Sequence, residues 1–261
     1  MKVAILCGGK GTRMREETEY KPKPLVEIGG MPILWHIMKT YSYYGFNDFV
    51  LCLGYKGNMI KDYFMNFEWF ANDFTLHMGK GKGEVTTHAH AMENWNITFA
   101  DTGEDTDTGG RVKKIEKYID DDVFFLTYGD GLADVNISNL LSYHHSKNKI
   151  ATVTGTRPQF RFGVLEVEES GIATSFAEKP STDGLINGGF YVLNSEIFSY
   201  LLENSNFERD ALPKVAKEKE LAVYEHRGFW KAIDTYKEVE AVNEQWNLNN
   251  RPWVVWEDDE V

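Results

Sequence analysis

Two cysteines in 261 residues, Cys7 and Cys52, leave no disulfide framework to organise the chain. Each lies in or beside an apolar run, so both read as free thiols, and no histidine motif accompanies either to make a catalytic one. Positive charge is also scarce: 28 Lys and Arg stand against 40 Asp and Glu, a formal charge of -12. That balance argues against nucleic acid or an anionic membrane as a general partner. No apolar run approaches membrane-spanning length, and the opening Met1-Lys2-Val3-Ala4-Ile5-Leu6 is too short for a signal peptide, so the expectation is a cytoplasmic protein. His88, His90 and the pair His144-His145 lack cysteine or carboxylate partners at metal-site spacing and read as solvated. No linker rich in Pro, Gly or Ser divides the chain, and no internal repeat is found.

What is present is ample for one large core, with 42% hydrophobic and 14% aromatic residues. Val3-Ala4-Ile5-Leu6 is a continuous apolar run stopped by glycine, the mark of a strand buried on both faces. After Pro32, residues Ile33, Leu34, Ile37, Met38 and Tyr41 recur at helical spacing until Gly45, and Phe49 to Leu53 forms a second buried strand. Strand, helix and strand in one short stretch predict a βαβ unit and a parallel sheet. Met59, Ile60, Tyr63, Phe64 and Phe67 predict a further helix, and residues 79–94 a long mobile excursion. Val123 to Tyr128 is the strongest strand and runs straight into Gly129-Asp130-Gly131. Beyond a helix near 140–145 the character turns β-rich, over 150–156, 163–167, 172–176 and 186–193. Two short helices near 197–202 and 212–217, a strand over 221–224 and a helix over 235–246 complete the pattern. The apolar tail around Trp253 and Trp256 is expected to dock on the body or on another subunit. One α/β domain with an inserted β-rich part is the economical reading.

Chemistry concentrates first in Leu6-Cys7-Gly8-Gly9-Lys10-Gly11-Thr12-Arg13 and in Lys21-Pro22-Lys23-Pro24. Three glycines in four positions let the backbone approach a ligand closely, and their amides can converge on phosphate oxygens. Thr12 adds a hydroxyl, and Arg13 and Lys23 add positive charge. A dinucleotide fingerprint would need another glycine order and an acidic residue ending the second strand, and a Walker loop would need a terminal Gly-Lys-Ser/Thr. What remains is a loop that holds a triphosphate. Asp130 follows the central strand, where open parallel sheets place ligands, although a plain turn residue is the bland alternative. For Asp234 the bland alternative, a helix N-cap before Thr235, is the stronger one.

The chain resembles the sugar-phosphate nucleotidyltransferases, and within them the cytidylyl branch, over nearly its whole length. The resemblance is carried by Gly8 to Arg13, Lys21-Pro22-Lys23-Pro24-Leu25-Val26-Glu27-Ile28-Gly29-Gly30, Pro32-Ile33-Leu34-Trp35-His36-Ile37-Met38, Thr108-Gly109-Gly110-Arg111, Tyr128-Gly129-Asp130-Gly131, Glu178-Lys179-Pro180, Asn187-Gly188-Gly189-Phe190, Gly228-Phe229-Trp230 and Asp234-Thr235. It implies a Rossmann-like three-layer α/β fold with a mostly parallel mixed central sheet and an inserted β-rich sugar-binding part. It divides the single domain into a nucleotide-binding half near 1–130, a sugar-phosphate-binding half near 131–235 and a C-terminal helix and tail over 236–261. The implied reaction joins CTP and α-D-glucose 1-phosphate into CDP-glucose and pyrophosphate with Mg2+, and CDP-glucose is by analogy a precursor of deoxysugars in surface polysaccharides. Neighbouring readings are a transferase using UTP or dTTP and a silent homologue that senses nucleotide sugars; the joint presence of Arg13, Lys23, Asp130, Lys179 and Asp234 argues against the latter.

On this reading Asp130 and Asp234 hold the metal, and Arg13 and Lys23 take the β and γ phosphates and the leaving-group charge. Lys179 holds the sugar phosphate, while Asn187 with Gly188, and Glu178, take sugar hydroxyls. Leu6 to Arg13, Thr108, Arg111, Tyr128 and Gly129 meet the nucleotide, with Thr108 and Arg111 placed in a loop. The resemblance also suggests a homo-oligomer, a hexamer among the options. Two departures stand out: Cys7 where alanine is usual, and Lys10 where an apolar residue is common, which adds a candidate phosphate contact. The stretch 86–93 diverges too.

Overall fold

A computed structural model describes residues 1–11, 14, 20–79, 83–88, 93–157, 164–177 and 184–256. Seven strands form the central sheet: β1 (Lys2–Leu6), β2 (Asp48–Leu53), β3 (Asn96–Asp101), β4 (Val123–Tyr128), β5 (Ala151–Thr156), β6 (Ile186–Asn194) and β7 (Leu221–His226), in the spatial order β7-β5-β6-β4-β1-β2-β3. All neighbours run parallel except β6, which is antiparallel to both β4 and β5. The sheet is therefore mostly parallel and mixed, as expected. The β-rich stretch beyond residue 150 contributes β5 and β6 to it, and among its described residues only the hairpin Val164–Val167 with Ala173–Ala177 forms a separate two-stranded sheet.

Alternation along the buried strands builds two cores, one on each face. Val3, Ile5, Phe49, Leu51 and Phe125 face helix α1 (Ile33–Tyr43), together with Val239 and Val242 of the C-terminal helix. Ala4, Leu6, Val50, Cys52, Phe124 and Leu126 face the opposite layer, with Val112, Phe207 and Val215. Strands covered on both sides need the near-continuous apolar runs that the sequence shows. Helix α1 buries Ile33, Leu34, Ile37, Met38 and Tyr41, the predicted stripe, and ends as Gly45 turns at φ +86°. The remaining helices are α2 (Gly57–Met65), α3 (Thr108–Lys114), α4 (Ile137–Lys147), α5 (Leu212–Lys217) and α6 (Tyr236–Asn247), with a short helix at Phe67–Ala71. No helix among the described residues is long and apolar enough to cross a membrane.

Some expectations change. Part of the 79–94 excursion is a hairpin, since Val85–Thr87 pairs with Phe74–Leu76; residues 80–82 and 89–92 lie outside the described residues. Apolar Val112, Ile115 and Ile119 recur at the spacing of one helix, but α3 stops at Lys114 and a 3-10 turn at Glu116–Tyr118 follows. His144 is not solvated: it is 2% exposed and bonds Thr152 Oγ1 and Asn194 Oδ1 at 2.9 and 2.8 Å. Such partners can satisfy a neutral ring, which is how a buried histidine avoids the cost of an isolated charge. Cys7, just past the end of β1, and Cys52, on the neighbouring β2, are buried and not disulfide-bonded, and burial pushes both thiols up, Cys52 to about 12.

The C-terminal tail docks on the body, where Trp253 is 1% exposed. Its ring, with Trp246 and Trp256, surrounds His36 of α1, whose Nε2 lies 2.9 Å from the Ile28 carbonyl. Burial, with Arg251 nearby, holds the imidazole down at about 4 despite that bond. An unfolded histidine titrates near 6.5, so between those values the unfolded chain binds the extra proton and the fold loses stability as the pH drops. Urea unfolding should show a loss of about 3 kcal/mol from this group between pH 7 and pH 4. A flat profile there would mean the ring takes its proton in place.

Candidate active site

The carboxyl ends of three parallel strands finish level, with Leu6 paired to Cys52 on one side and to Tyr128 on the other. The glycine loop therefore leaves β1 beside Gly129 and Asp130 leaving β4, and the Gly129 amide donates to the Leu6 carbonyl at 3.0 Å. This is the edge where parallel sheets gather ligands. A cleft of about 330 Å3 opens there. One wall is the loop from Leu6 to Gly9 with Gly11; another is the segment from Thr106 to Thr108 with Arg111; Lys23, Pro24, Asp130 and Asp234 close the third side.

Two carboxylates distant in sequence meet because a miniature sheet brings them together. Gly131–Ala133 pairs antiparallel with Trp230–Ala232, and the Ile233 amide donates to the Asp130 carbonyl at 2.9 Å. Asp234 follows directly. It is not the helix cap: Thr235 caps α6 in a capping box with Glu238, which leaves the Asp234 carboxylate to face the cleft. Lys23, set by the 3-10 turn Lys23–Leu25, donates from Nζ to Asp130 Oδ2 and Asp234 Oδ1, both at 2.7 Å. Burial pulls this ammonium down, but the charges and hydrogen bonds of Asp130 and Asp234 outweigh it, so the lysine stands above its ordinary value. Its side chain is 11% exposed, against 35% and 23% for Asp130 and Asp234.

The ammonium occupies the place where a cation fits. One oxygen from each of two aspartates converges on a single point, an all-oxygen donor set open to the cleft. Among the described residues no third carboxylate, histidine or cysteine joins them. Mg2+ is bound in this way, by one or two carboxylates, waters and substrate phosphate, so these residues fit it.

Arg111 is buried and belongs to helix α3 rather than to a loop. Its guanidinium donates to the carbonyls of Gly8, Leu53, Gly103 and Glu104 and to Thr102 Oγ1, at 2.8 to 3.2 Å. It ties the glycine loop to the ends of β2 and β3, and burial lowers its pKa. A Cβ on residue 8 would sit 2.1 Å from Arg111 Nη1, so glycine is needed there for the arginine as well as for a ligand. Thr108 opens the same helix and donates to Glu208 Oε2 at 2.6 Å. The Tyr128 hydroxyl donates to Glu208 Oε1 and lies 3.2 Å from the Tyr191 hydroxyl, which in turn receives Asn187 Nδ2.

Of the residues singled out in the sequence, Leu6, Cys7, Gly8, Gly9, Gly11, Lys23, Thr108, Arg111, Tyr128, Gly129, Asp130 and Asp234 line one cleft. Lys10 does not; its ammonium pairs with Asp105 at 2.7 Å. Asn187 and Gly188 stand behind it, reached through Tyr191, and the Gly188 carbonyl receives the Trp230 indole at 2.7 Å. Thr12, Arg13, Glu178 and Lys179 lie outside the described residues. Thr106, Asp107 and Glu208 were not singled out. The first two lie within two residues of Thr108, so only a wider window was needed. Nothing local marks Glu208, which matters only through partners far along the chain.

With this geometry in place, comparison defines the class: the chain belongs to the nucleotidyl transferase family, whose model matches residues 2–250. Within it, the chain is 53% identical over 258 residues to the probable glucose-1-phosphate cytidylyltransferase of Bacillus subtilis, covering 98% of this chain and 100% of that one. It is 46% identical over 261 residues to the glucose-1-phosphate cytidylyltransferase of Salmonella typhi, with the same coverage. Among solved structures, HddC from Yersinia pseudotuberculosis superposes with a TM-score of 0.69 at 24% identity, over 94% of this chain and 99% of that one, and shares the fold.

Proposed function

We propose that the protein joins CTP and α-D-glucose 1-phosphate into CDP-glucose and releases pyrophosphate. The observation that carries this reading is the meeting of Lys23 with Asp130 and Asp234 under a glycine loop, in a chain whose relatives bear that activity in their names. Nucleotidyl transfer asks a protein mainly for alignment and charge neutralisation. The attacking oxygen of the sugar phosphate is already ionised, so no general base is required. The backbone of Gly9 leaves room for phosphate, since nothing lies within 4 Å of a Cβ built on it, whereas the same side of Gly8 is taken by Arg111. Arg111 holds that loop in place. Lys23 supplies positive charge beside the triphosphate, and with Arg13 it would neutralise the leaving pyrophosphate.

Asp130 and Asp234 would hold Mg2+, which when bound supplies charge neutralisation at the transferring phosphate. Lys179 is assigned to the phosphate of the sugar phosphate, and Glu178 and Asn187 to sugar hydroxyls, in keeping with a nucleotide half near 1–130 and a sugar half near 131–235. Assembly into a homo-oligomer belongs to the same proposal, supported by Leu165, Ile172 and Phe176, which leave an apolar surface on the separate hairpin. A solution mass above the 29.9 kDa of one chain is expected.

The test of function is pyrophosphate release from the purified protein with glucose 1-phosphate, Mg2+ and each of CTP, UTP and dTTP. CTP should be strongly preferred. Release with another triphosphate alone moves the base assignment, and binding without any release removes the enzyme reading.

A further inference from the structure

Glu208 is a half-buried carboxylate next to the cleft, and it has no lysine, arginine or histidine partner among the described residues. It sits in a single π-helical turn, Phe207–Ala211, opened by Asn206, whose side chain accepts from the Glu208 and Arg209 amides. Such turns are uncommon and recur at functional sites. Instead of a cation, the carboxylate takes two hydroxyls: Thr108 Oγ1 on Oε2 at 2.6 Å, and the Tyr128 hydroxyl on Oε1. Both donors line the cleft, Thr108 at the head of α3 and Tyr128 at the end of β4 just before Asp130.

The directions of these bonds can be worked out, because a hydroxyl has one hydrogen to give. Thr108 Oγ1 receives the Phe207 amide at 2.9 Å, so its own hydrogen goes to Glu208. Tyr128 also spends its hydrogen on Glu208, so the 3.2 Å contact with Tyr191 must be donated by Tyr191. Tyr191 then receives from Asn187 Nδ2, which turns the Asn187 carbonyl to the Gly189 amide at 2.9 Å. Every hydrogen on this line points the same way, from Asn187 through Tyr191 and Tyr128 to Glu208. A carboxyl group that accepts on both oxygens and gives no hydrogen back sets that polarity, and hydrogen bonds in such a chain strengthen one another. Burial, with Tyr191 and Glu208 close by, raises the Tyr128 pKa far above the ordinary phenol value, so the hydroxyl stays a donor.

We propose that Glu208 is a positioning residue that locks the α3 wall of the cleft to the strand carrying Asp130, and that it fixes the orientation of Asn187 as well. The proposal rests on the reading of function above and adds to it a residue that touches neither reactant.

The test is a double-mutant cycle on Glu208→Gln and Tyr128→Phe, read as pyrophosphate release. Glutamine keeps the shape of the side chain but offers an amide hydrogen to a hydroxyl that needs an acceptor. Each single change should lower kcat by roughly ten- to a hundredfold, the scale of a lost hydrogen bond to a charged group, while the KM for each substrate moves less than about threefold. The double variant should be no worse than the poorer single one, because both break the same line. Multiplying costs, or an unchanged kcat with a lowered melting temperature, would overturn the proposal. Should Glu208→Gln not fold, the cycle is run on Tyr128→Phe and Thr108→Val, whose hydroxyls are joined by Glu208, and is read as the melting temperature without substrate as well as kcat; full independence in both readouts overturns it equally. All arms use whichever triphosphate the wild type turns over best, so a wrong base assignment changes the substrate and leaves the outcome readable. A wild type silent with every triphosphate removes this proposal along with the function.

Discussion

Asp130→Asn lowers turnover on the order of a thousandfold and flattens the dependence on Mg2+ concentration, with little change in the melting temperature. The scale follows from removing one of two charged oxygens from a site whose metal would contribute several kcal/mol of charge stabilisation. Asparagine keeps an oxygen for Lys23 and leaves the backbone contact with Ile233 intact, so the fold has little reason to respond. The measurement is pyrophosphate release across a Mg2+ series, beside a thermal melt. Near-normal rates in that variant would place the metal elsewhere.

Lys23→Ala has the second large effect, and its sign differs between properties. Turnover falls by about two to three orders of magnitude, as when a preorganised group aimed at developing charge is removed. The substrate-free protein is destabilised by about 1 to 3 kcal/mol, because Asp130 and Asp234 then face each other without the ammonium 2.7 Å from each. That figure is set below the range for a fully buried pair, since both carboxylates are partly exposed. Divalent metal alone should affect the variant more than the wild type: without the lysine, Mg2+ or Mn2+ binds the vacant pair directly and restores the melting temperature. In the wild type the ammonium competes for the same oxygens, so metal without nucleotide shifts the melt little. An equal shift in both proteins would show that lysine and metal do not share the position.

Much of this arrangement could be read locally. The run from Val3 to Leu6, the helix after Pro32 and the strand ending at Tyr128 each announce themselves by apolar spacing and a bounding glycine, and these elements build the edge on which the cleft sits. Less could be read where partners are remote. That β6 would lie antiparallel between β4 and β5 depends on pairings across thirty residues or more, which no window of periodicity reports. The face of Asp234 was undecidable locally because Asp and Thr both cap helices; only the capping box of Thr235 with Glu238 releases the aspartate to the cleft. Arg111 is expected in a loop that meets the nucleotide, yet it lies in a helix and its guanidinium holds carbonyls, a use that shows only when the loop is folded over it. Glu208 carried no signal at all, since its partners stand 80 and 100 residues away.

The single antiparallel strand also governs how the molecule can change. Thr156, where the chain leaves β5, and Ile186, where it returns on β6, are register partners across the sheet. Everything between them hangs from two adjacent posts whose spacing the sheet fixes. Lengthening or shortening a segment closed at such a point costs only the slow logarithmic growth of loop entropy, about 0.6 kcal/mol per doubling. A segment of another length between these two posts is therefore expected to leave the pairing of the strand that ends at Tyr128 intact. For an engineer, those two posts are the natural splice points for exchanging the segment between them.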